Sequence, residues 1–361
     1  MSHYEERLEK DLAHIRGSLA DLASAVERAY GSAAKALFSG DDKLAYAVVL
    51  EDLAINRASR ELDRICHGFF AVHLPSAGHL RFVSSAMRVN LQLERIGDYA
   101  VNICRESVQI GQPPKGAIGQ EMQRMAEEAQ DALSRALAAF NDGDSDQAKI
   151  NADQASRTAR SFSAVFKSLV NEEGNLRVEE LFYYLVIFNM FSRVVDQAKN
   201  ICEETVFTVT GQTKPAKSYR VLFLDEDNSA LGPMAQAIAG HMFPQSGEYA
   251  SAGRQPASAI NGDLARFLAE RGIPLTALSP KKLDPSAAEL ADYHVIVSLQ
   301  GPIKSYVDPP PFHPIALEWE VGELPAGTDQ AENTAQFEAL YRSLALQVRD
   351  LMTALHGEEA P

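Results

Sequence analysis

The sequence predicts an all-α region of two tandem three-helix bundles, followed by an α/β region with a doubly wound, mostly parallel sheet of four strands. From residue 3 to about 207 the chain is rich in Ala, Leu, Glu, Arg and Gln, with apolar residues at spacings of three and four. That pattern is typical of amphipathic helices. From residue 219 onward, strand-like runs alternate with helical segments, which indicates a parallel sheet. A chain of 361 residues has room for both regions.

Short segments rich in Gly, Pro, Asn and Asp divide the first region into six helices. These helices are expected at 3–37, 43–72, 79–110, 119–140, 146–170 and 177–209. The strands of the second region are expected at 219–224, 249–253 and 293–299, and its helices at 230–242, 257–272 and 332–356. The domains that follow are repeats at 1–112 and 113–212, a linker at 213–218 and the α/β domain at 219–361.

The third and the sixth predicted helix carry nearly the same text. Residues 94–107 read ERIGDYAVNICRES, and residues 192–205 read SRVVDQAKNICEET. One constant offset carries Asp98 onto Asp196 and Asn102 onto Asn200. A tandem duplication of a three-helix unit explains this repeat.

An acidic stripe follows the third predicted helix. Glu94, Asp98, Asn102 and Glu106 recur every four residues and therefore share one face. Like charges at this spacing repel by roughly 0.2–0.5 kcal/mol per pair unless a cation intervenes. Asp52 on the second helix is expected to face the stripe, and oxygen ligands of this kind suit a hard cation.

The second repeat offers a weaker version of the same set, with Asp153, Asp196 and Asn200. The alternative is that both stripes are the solvated faces of amphipathic helices. Spacing leaves the two interpretations open. No His or Cys joins either stripe, so a zinc site of the usual kind is not indicated.

The charge of the chain and its apolar runs limit the partners and the cellular location that we expect. The net charge is −15 and no basic stripe is present, which argues against a nucleic-acid partner. The start lacks a secretory signal, and the longest apolar run, at 181–188, is far shorter than the ~20 residues that span a bilayer. We therefore expect a cytoplasmic protein that reaches a membrane only through partners; a homodimer stays open.

The three cysteines are expected to be core residues. Cys66, Cys104 and Cys202 form no CxxC pair, and each lies in an apolar helical context. Three cysteines cannot all be bridged within one chain, which suits a reducing compartment.

Three stretches of the helical region carry a family resemblance: EDLAINRASRELDRIC, LPSAGHLRFVSSAMRVNLQLERIGDYAVNI and RVVDQAKNICEETVFTVTGQ. Over roughly residues 1–212 they resemble the PhoU family of phosphate uptake regulators. The resemblance implies two pseudosymmetric bundles that act without catalysis, as an adaptor between a phosphate transporter ATPase and a sensor histidine kinase. It also implies a divalent metal or iron bound through Glu-x-x-x-Asp pairs. Glu94 and Asp98 match such a pair, whereas Ser192 replaces the acid in the second repeat.

The α/β region contains, in this order, VLFL at 221–224, Asn228-Ser229, PMA at 233–235, SAG at 251–253 and ADYHVIVSL at 291–299. In these pieces it resembles the low-molecular-weight protein tyrosine phosphatases and the related arsenate reductases. In those enzymes a cysteine nucleophile follows the first strand, and an arginine six positions later holds the oxyanion. Here the nucleophile position is Asp225, the arginine position is Leu231 and the following hydroxyl position is Gly232.

The loop after the first strand has the wrong charge for a phosphate site. It begins with Asp225, Glu226 and Asp227, and placing phosphate within ~4 Å of three carboxylates costs several kcal/mol at an effective dielectric constant of about 20. No arginine is expected to offset this cost. We expect Asp225, Asp227 or Asn228 to accept the free amide hydrogens of the following helix instead, so that the loop, which continues through Ser229, is filled by its own side chains.

The second region allows two other interpretations. A strand that ends in Asp-Glu-Asp also begins receiver domains, but these need a phosphorylatable Asp after the third strand, where this chain has Ser298. A residual hydrolase would use Glu323 as its acid, without a nucleophile. The expected function is a cytoplasmic, non-catalytic regulator of phosphate transport, and the alternative is a phosphatase or arsenate reductase controlled by a helical domain.

Overall fold

The computed structural model describes residues 3–172, 178–213, 218–273, 275, 278–290, 292–309, 314–325 and 330–357. Of residues 159–172, 287, 288, 330 and 331 it describes the backbone only. The chain divides into two compact units, Met1–Lys214 and Pro215–Pro361. This division falls inside the predicted linker.

Six long helices form the first unit, as the sequence predicts. They are α1 (His3–Ser39), α2 (Asp42–Val72), α3 (Ala77–Ile110), α4 (Gly116–Asp142), α5 (Ser145–Glu172) and α6 (Val178–Thr210). α3 starts two residues earlier than expected because the Ser76 side chain accepts a hydrogen bond from His79 N (3.4 Å) and caps the helix. No helix among the residues described is long and apolar enough to cross a membrane.

Matching caps fix the register of the two repeats. Asp41 Oδ1 accepts a hydrogen bond from Leu44 N (3.0 Å) at the start of α2, and Asp144 Oδ1 accepts one from Gln147 N (2.9 Å) at the start of α5. In both cases an aspartate at the N-cap serves the amide three residues later. Residues of α5 therefore correspond to the residues of α2 that lie 103 positions earlier.

The two repeats share one apolar core. Within each repeat the three helices pack against one another, and α3 also packs on α6 and α1 on α4. Tyr30 is fully buried at the centre, where its hydroxyl donates to Ala126 O (3.2 Å) across the repeats. Cys66, Cys104 and Cys202 are buried free thiols, as predicted, and burial raises the pKa of each to about 12.

The second unit contains a four-stranded parallel sheet. Its strands are β1 (Tyr219–Asp225), β2 (Gly247–Gly253), β3 (Val295–Ser298) and β4 (Ile315–Glu318), in the order β2-β1-β3-β4. Its helices are α7 (Leu231–Met242), α8 (Gly262–Ala269), α9 (Ala287–Leu290) and α10 (Gln330–His356). The predicted helix at 257–272 was too long because Asn261 caps α8, where its side chain accepts from Asp263 N and Leu264 N.

Each face of the sheet has its own core, which makes the fold doubly wound. Val221 and Phe223 of β1 pack with residues of α7, α8 and α10. Leu222 and Leu224 point to the opposite face and pack with Leu290 of α9 and its neighbours. The alternation buries both sides of β1, and its carboxyl end leads directly into the loop that precedes α7.

Candidate functional site

The acidic stripe of α3 meets α2 at Gly97. A Cβ atom at Gly97 would lie 3.2 Å from Asp52 Oδ1, so the absence of a side chain lets this carboxylate approach α3. Asp52 Oδ2 accepts a hydrogen bond from Asn56 Nδ2 (2.7 Å). Asp52 Oδ1 is buried and has no hydrogen-bond partner within the described ranges.

Three carboxylates influence one another at this place. Burial and the charge of Asp98 raise the pKa of Asp52, against the opposing hydrogen bond from Asn56. Burial, Asp98 and Asp52 together raise the pKa of Glu94. The predicted pairing of Asp52 with the stripe is therefore found in the structure, and like charges accumulate there.

This arrangement fits a metal only in part. The unpaired Asp52 Oδ1 and the raised pKa values are what a carboxylate cluster short of positive charge shows. However, in the portion of the chain that is described, no three His, Cys, Asp or Glu side chains converge as ligands. Asn102, also predicted as a ligand, lies half-buried one turn beyond the exposed Asp98.

The second repeat does not reproduce the cluster. Asp153, predicted as a weaker ligand of the second repeat, does not take the place of Asp52: the register of the caps places Ala155 there, and Asp153 is exposed at the position of Leu50. Asp196 is half-buried, and burial raises its pKa while Arg193 and Lys199 lower it.

Asn200 takes part in the contact between the repeats instead. Its Nδ2 donates to Gln92 Oε1 of α3 at 3.5 Å and to Gln197 Oε1 of its own helix at 3.4 Å. Both are long hydrogen bonds, in the direction of α3 and not of α5.

The Asp225 side chain accepts hydrogen bonds from backbone amide groups of the loop after β1. Its Oδ1 accepts a hydrogen bond from Asn228 N (2.9 Å) and its Oδ2 accepts one from Gly232 N (2.8 Å) in the first turn of α7. The side chain is buried, and burial raises its pKa to about 6. The hydrogen bonds from Gly232 and Asn228 oppose this rise, and the charge of Asp227 adds to it.

Asn228 and Asp227, the other two residues named as alternatives for this cap, accept hydrogen bonds elsewhere. Asn228 is buried with a φ of 52°, and its Oδ1 accepts from Lys281 N (2.8 Å) instead of from the helix. Asp227 Oδ1 accepts from Ser229 N (3.0 Å), within the loop itself. A short side chain near its own backbone favours such local turns. Asp225 alone of the three reaches a helix amide.

Glu226 is compensated by an arginine that the sequence analysis missed. Arg254 Nε donates to Glu226 Oε2 (3.0 Å), and Arg254 Nη1 donates to Ser305 O (3.1 Å). The expectation that no arginine offsets the loop was therefore wrong. Parallel β1 and β2 pair Asp225 with Gly253, which places the next residues side by side, and a single sequence does not display this register.

The remaining loop positions are packed against the core. Leu231, at the predicted arginine position, is fully buried among apolar residues. A Cβ atom at Gly232 would lie 3.0 Å from Asp225 Oδ1, and one at Gly253 would lie 2.7 Å from Asn228 N. Both glycines permit the loop to close tightly over Asp225.

The residues of the two other interpretations take no part in the hydrogen bonds of Asp225. Ser298 ends β3 as predicted; it is buried, and its hydroxyl donates to Gly301 O (2.6 Å). Glu323 is exposed in the segment after β4 that lies against α10.

The helical repeats are similar to known proteins. Residues 19–107 and 122–205 match the PhoU domain. The PhoU homolog of Pseudomonas aeruginosa, a phosphate-specific transport system accessory protein, is 28% identical over 219 residues, which are 58% of this chain and 88% of that protein.

Two solved structures are similar to parts of this chain. The phosphate transport system regulatory protein PhoU from Streptococcus pneumoniae superposes with a TM-score of 0.53 and 25% identity, over 57% of this chain and 99% of that one. An arsenate reductase in the phosphate binding state covers 38% of this chain and 98% of its own, with 17% identity and a TM-score of 0.32. No residue role follows from a likeness of the latter size.

Proposed function

We propose that this chain is a cytoplasmic, non-catalytic regulator of phosphate transport. Its two PhoU-domain repeats would bind a phosphate transporter ATPase or a sensor histidine kinase. The support is the pair of matches to the PhoU domain, together with relatives that are named as accessory proteins of phosphate-specific transport. The carrying observation is that the matches fall on two helical repeats with one common core.

The α/β unit has no catalytic role in this proposal. A nucleophile after β1 must be exposed to its substrate, whereas Asp225 is buried and its two oxygen atoms accept backbone hydrogen bonds. The amides that would hold an oxyanion therefore serve an internal carboxylate. Leu231 cannot supply the positive charge that transfer of a phosphoryl group requires.

Affinity capture tests the regulatory role. The full chain is captured from cells grown in high and in low phosphate, and the bound proteins are quantified by mass spectrometry. The proposal expects a phosphate transporter ATPase or a sensor histidine kinase, with recovery that depends on phosphate. Asp225→Asn serves as a control within the second unit and should capture the same partner. Recovery of neither protein under either condition would refute the proposal.

A metal on the acidic cluster is a separate part of the proposal. A divalent metal or iron between α2 and α3 would neutralise Asp52, Glu94 and Asp98, and the unpaired Asp52 Oδ1 supports such a role. Side-chain rotation is required, since no three ligands converge among the residues with described side chains.

Elemental analysis of protein purified without chelators tests the metal. We expect stoichiometric metal in the wild type, loss in Asp98→Ala and no loss in the control Asp153→Asn, whose carboxylate is exposed on α5. Absence of metal from the wild type, or equal content in Asp98→Ala, would leave the stripe as a solvated face.

A further inference from the structure

A groove with an apolar floor and a charged rim lies between α1 and α2 of the first repeat. Its volume is about 500 Å³. The apolar side chains that line it are Leu22 and Ala25 of α1 and Ala54, Ile55, Ala58 and Leu62 of α2. Leu50, one turn before Ala54, is 69% exposed and extends the apolar surface along α2. Exposed apolar side chains that cluster around a concave surface mark a binding site.

The second repeat has charged side chains at the corresponding place. The caps relate α5 to α2 by 103 positions, and the matches to the PhoU domain, which begin at residues 19 and 122, relate α4 to α1 by the same number. The residues that replace Ala25, Leu50 and Ala54 are Glu128, Asp153 and Arg157. Glu128 forms an ion pair there with Arg124. The fold of a repeat therefore does not require an open apolar groove.

The rim of the groove carries more negative than positive charge. Asp21 of α1 and Glu51 of α2 are exposed, and neither has a hydrogen bond or an ion pair with any other residue that the structure describes. Arg28 is the one base among the lining residues, and Glu61 already pairs with Arg64. Two unpaired carboxylates beside an apolar floor suit an occupant whose apolar side is flanked by Lys or Arg.

The length of the groove suits a short helix. Its lining residues on α1 run from Ser18 to Arg28, which is about three turns, or about 15 Å. The contact of Asp11 with His73 shows that α1 and α2 are antiparallel. Asp21 and Glu51 therefore lie near opposite ends of the groove, roughly 15–18 Å apart along the helix axes. An occupant that reaches both carboxylates must be extended, as a helix lying in a groove is.

We propose that this groove binds an amphipathic helix of a partner protein. The apolar residues of that helix lie on the floor between α1 and α2, and Lys or Arg residues near its two ends pair with Asp21 and Glu51. Ala54 and Ala58, which are small and exposed, let its backbone approach α2 closely. The helix belongs to the protein that the repeats regulate, so this part of the proposal rests on the proposed function.

Fluorescence anisotropy of labelled peptides titrated with the full chain tests the groove. Two peptides of about 18 residues carry leucines at the same helical spacing, one with lysines and the other with glutamates at the flanking positions. We expect the basic peptide to bind at low salt and the acidic peptide to bind at least about tenfold more weakly. Ala54→Arg, which introduces the residue that the second repeat has at this place, should weaken binding of the basic peptide by at least about tenfold.

Ala71→Arg is the matched control, because it adds the same charge at an exposed alanine of α2 that does not line the groove. It should leave binding unchanged. Asp21→Asn combined with Glu51→Gln should weaken binding of the basic peptide about threefold. Circular dichroism checks that each variant is folded. The proposal is overturned if the wild type does not bind the basic peptide, binds both peptides equally, or binds the basic peptide no better than Ala54→Arg does.

Capture from cells separates this proposal from the proposed function. A transport protein that is captured by the wild type but not by Ala54→Arg supports the groove, and one captured equally by both overturns it while the proposed function stands. If the wild type captures no transport protein but loses the basic peptide on Ala54→Arg, the groove is supported and the proposed function fails. A small apolar molecule or a second copy that Ala54→Arg displaces, seen by native mass spectrometry, would overturn the helix as the occupant.

Discussion

Replacing Asp225 by Asn should remove a pH dependence from the stability of the second unit. The pKa of Asp225 is raised from an ordinary value of 3.8 to about 6, chiefly by burial. A carboxyl whose folded pKa is raised stabilises the fold fully below its unfolded pKa, and this stabilisation is lost as the pH rises through the folded pKa. The window therefore runs from about pH 4 to about pH 6, and stability falls with rising pH across it.

The size of the change in unfolding free energy follows from the shift in the pKa of Asp225. Each pKa unit corresponds to about 1.4 kcal/mol, so the complete window contributes about 3 kcal/mol. About 1.4 kcal/mol of this is lost between about pH 5 and about pH 7.5. Asn cannot titrate, and its amide nitrogen leaves Gly232 N or Asn228 N without an acceptor, at a constant cost of about 1–3 kcal/mol. The gap in unfolding free energy between wild type and Asp225→Asn should therefore shrink by about 1.4 kcal/mol from about pH 5 to about pH 7.5.

Urea unfolding followed by tryptophan fluorescence measures this gap. Trp319 is the one tryptophan in the sequence, and its ring lies 5.8 Å from that of Phe223 in the core of the second unit. Ser229→Ala, a change in the same loop that cannot titrate, is the control and should give the same difference at both pH values. If the difference in unfolding free energy between wild type and Asp225→Asn is constant, or widens as the pH rises, burial does not raise the pKa of this carboxyl.

Three further changes have expected results that differ in size. Gly253→Ala should destabilise the second unit by about 1–3 kcal/mol or more in urea unfolding, because its Cβ would lie 2.7 Å from a backbone nitrogen. Gly262→Ala is the control and should have much less effect, because a Cβ there would meet nothing within 4 Å. Equal losses of stability in the two variants would contradict the steric argument. Tyr30→Phe should cost about 1 kcal/mol, measured by circular dichroism of the helical unit, since one buried hydrogen bond is lost; no change would mean that this bond contributes nothing. Arg254→Gln should leave the urea unfolding midpoint almost unchanged, because the ion pair with Glu226 is exposed, and a clear fall in the midpoint would mean that the pair holds the loop.

The sequence predicts the elements whose signals are local. Long helices with caps such as Ser76 and Asp144 were found within a few residues of their ends, and β1 and β3 were evident as buried apolar runs. β4 was missed because most of its residues are exposed, including Ile315, so it has no apolar run to detect. Its place in the sheet depends on pairing with β3, which a single sequence does not display.

The candidate site was predicted less completely, because its geometry depends on contacts between distant segments. The bond from Gly232 N to Asp225 was expected from the charge and position of the loop. The pairing of Glu226 with Arg254 depends on the register of two strands, and it was missed. The sequence offers Asp153 as an acid on α5, but it does not display the register of the caps, which places Ala155 and not Asp153 at the position of Asp52.

The most direct test of the central claim is a measurement of turnover by the full chain, with p-nitrophenyl phosphate and with arsenate plus a thiol reductant as substrates. Our account predicts rates equal to the background for the wild type and for Asp225→Ala alike, because a buried carboxylate holds the amides that an oxyanion would need. Wild-type turnover that Asp225→Ala abolishes would contradict it.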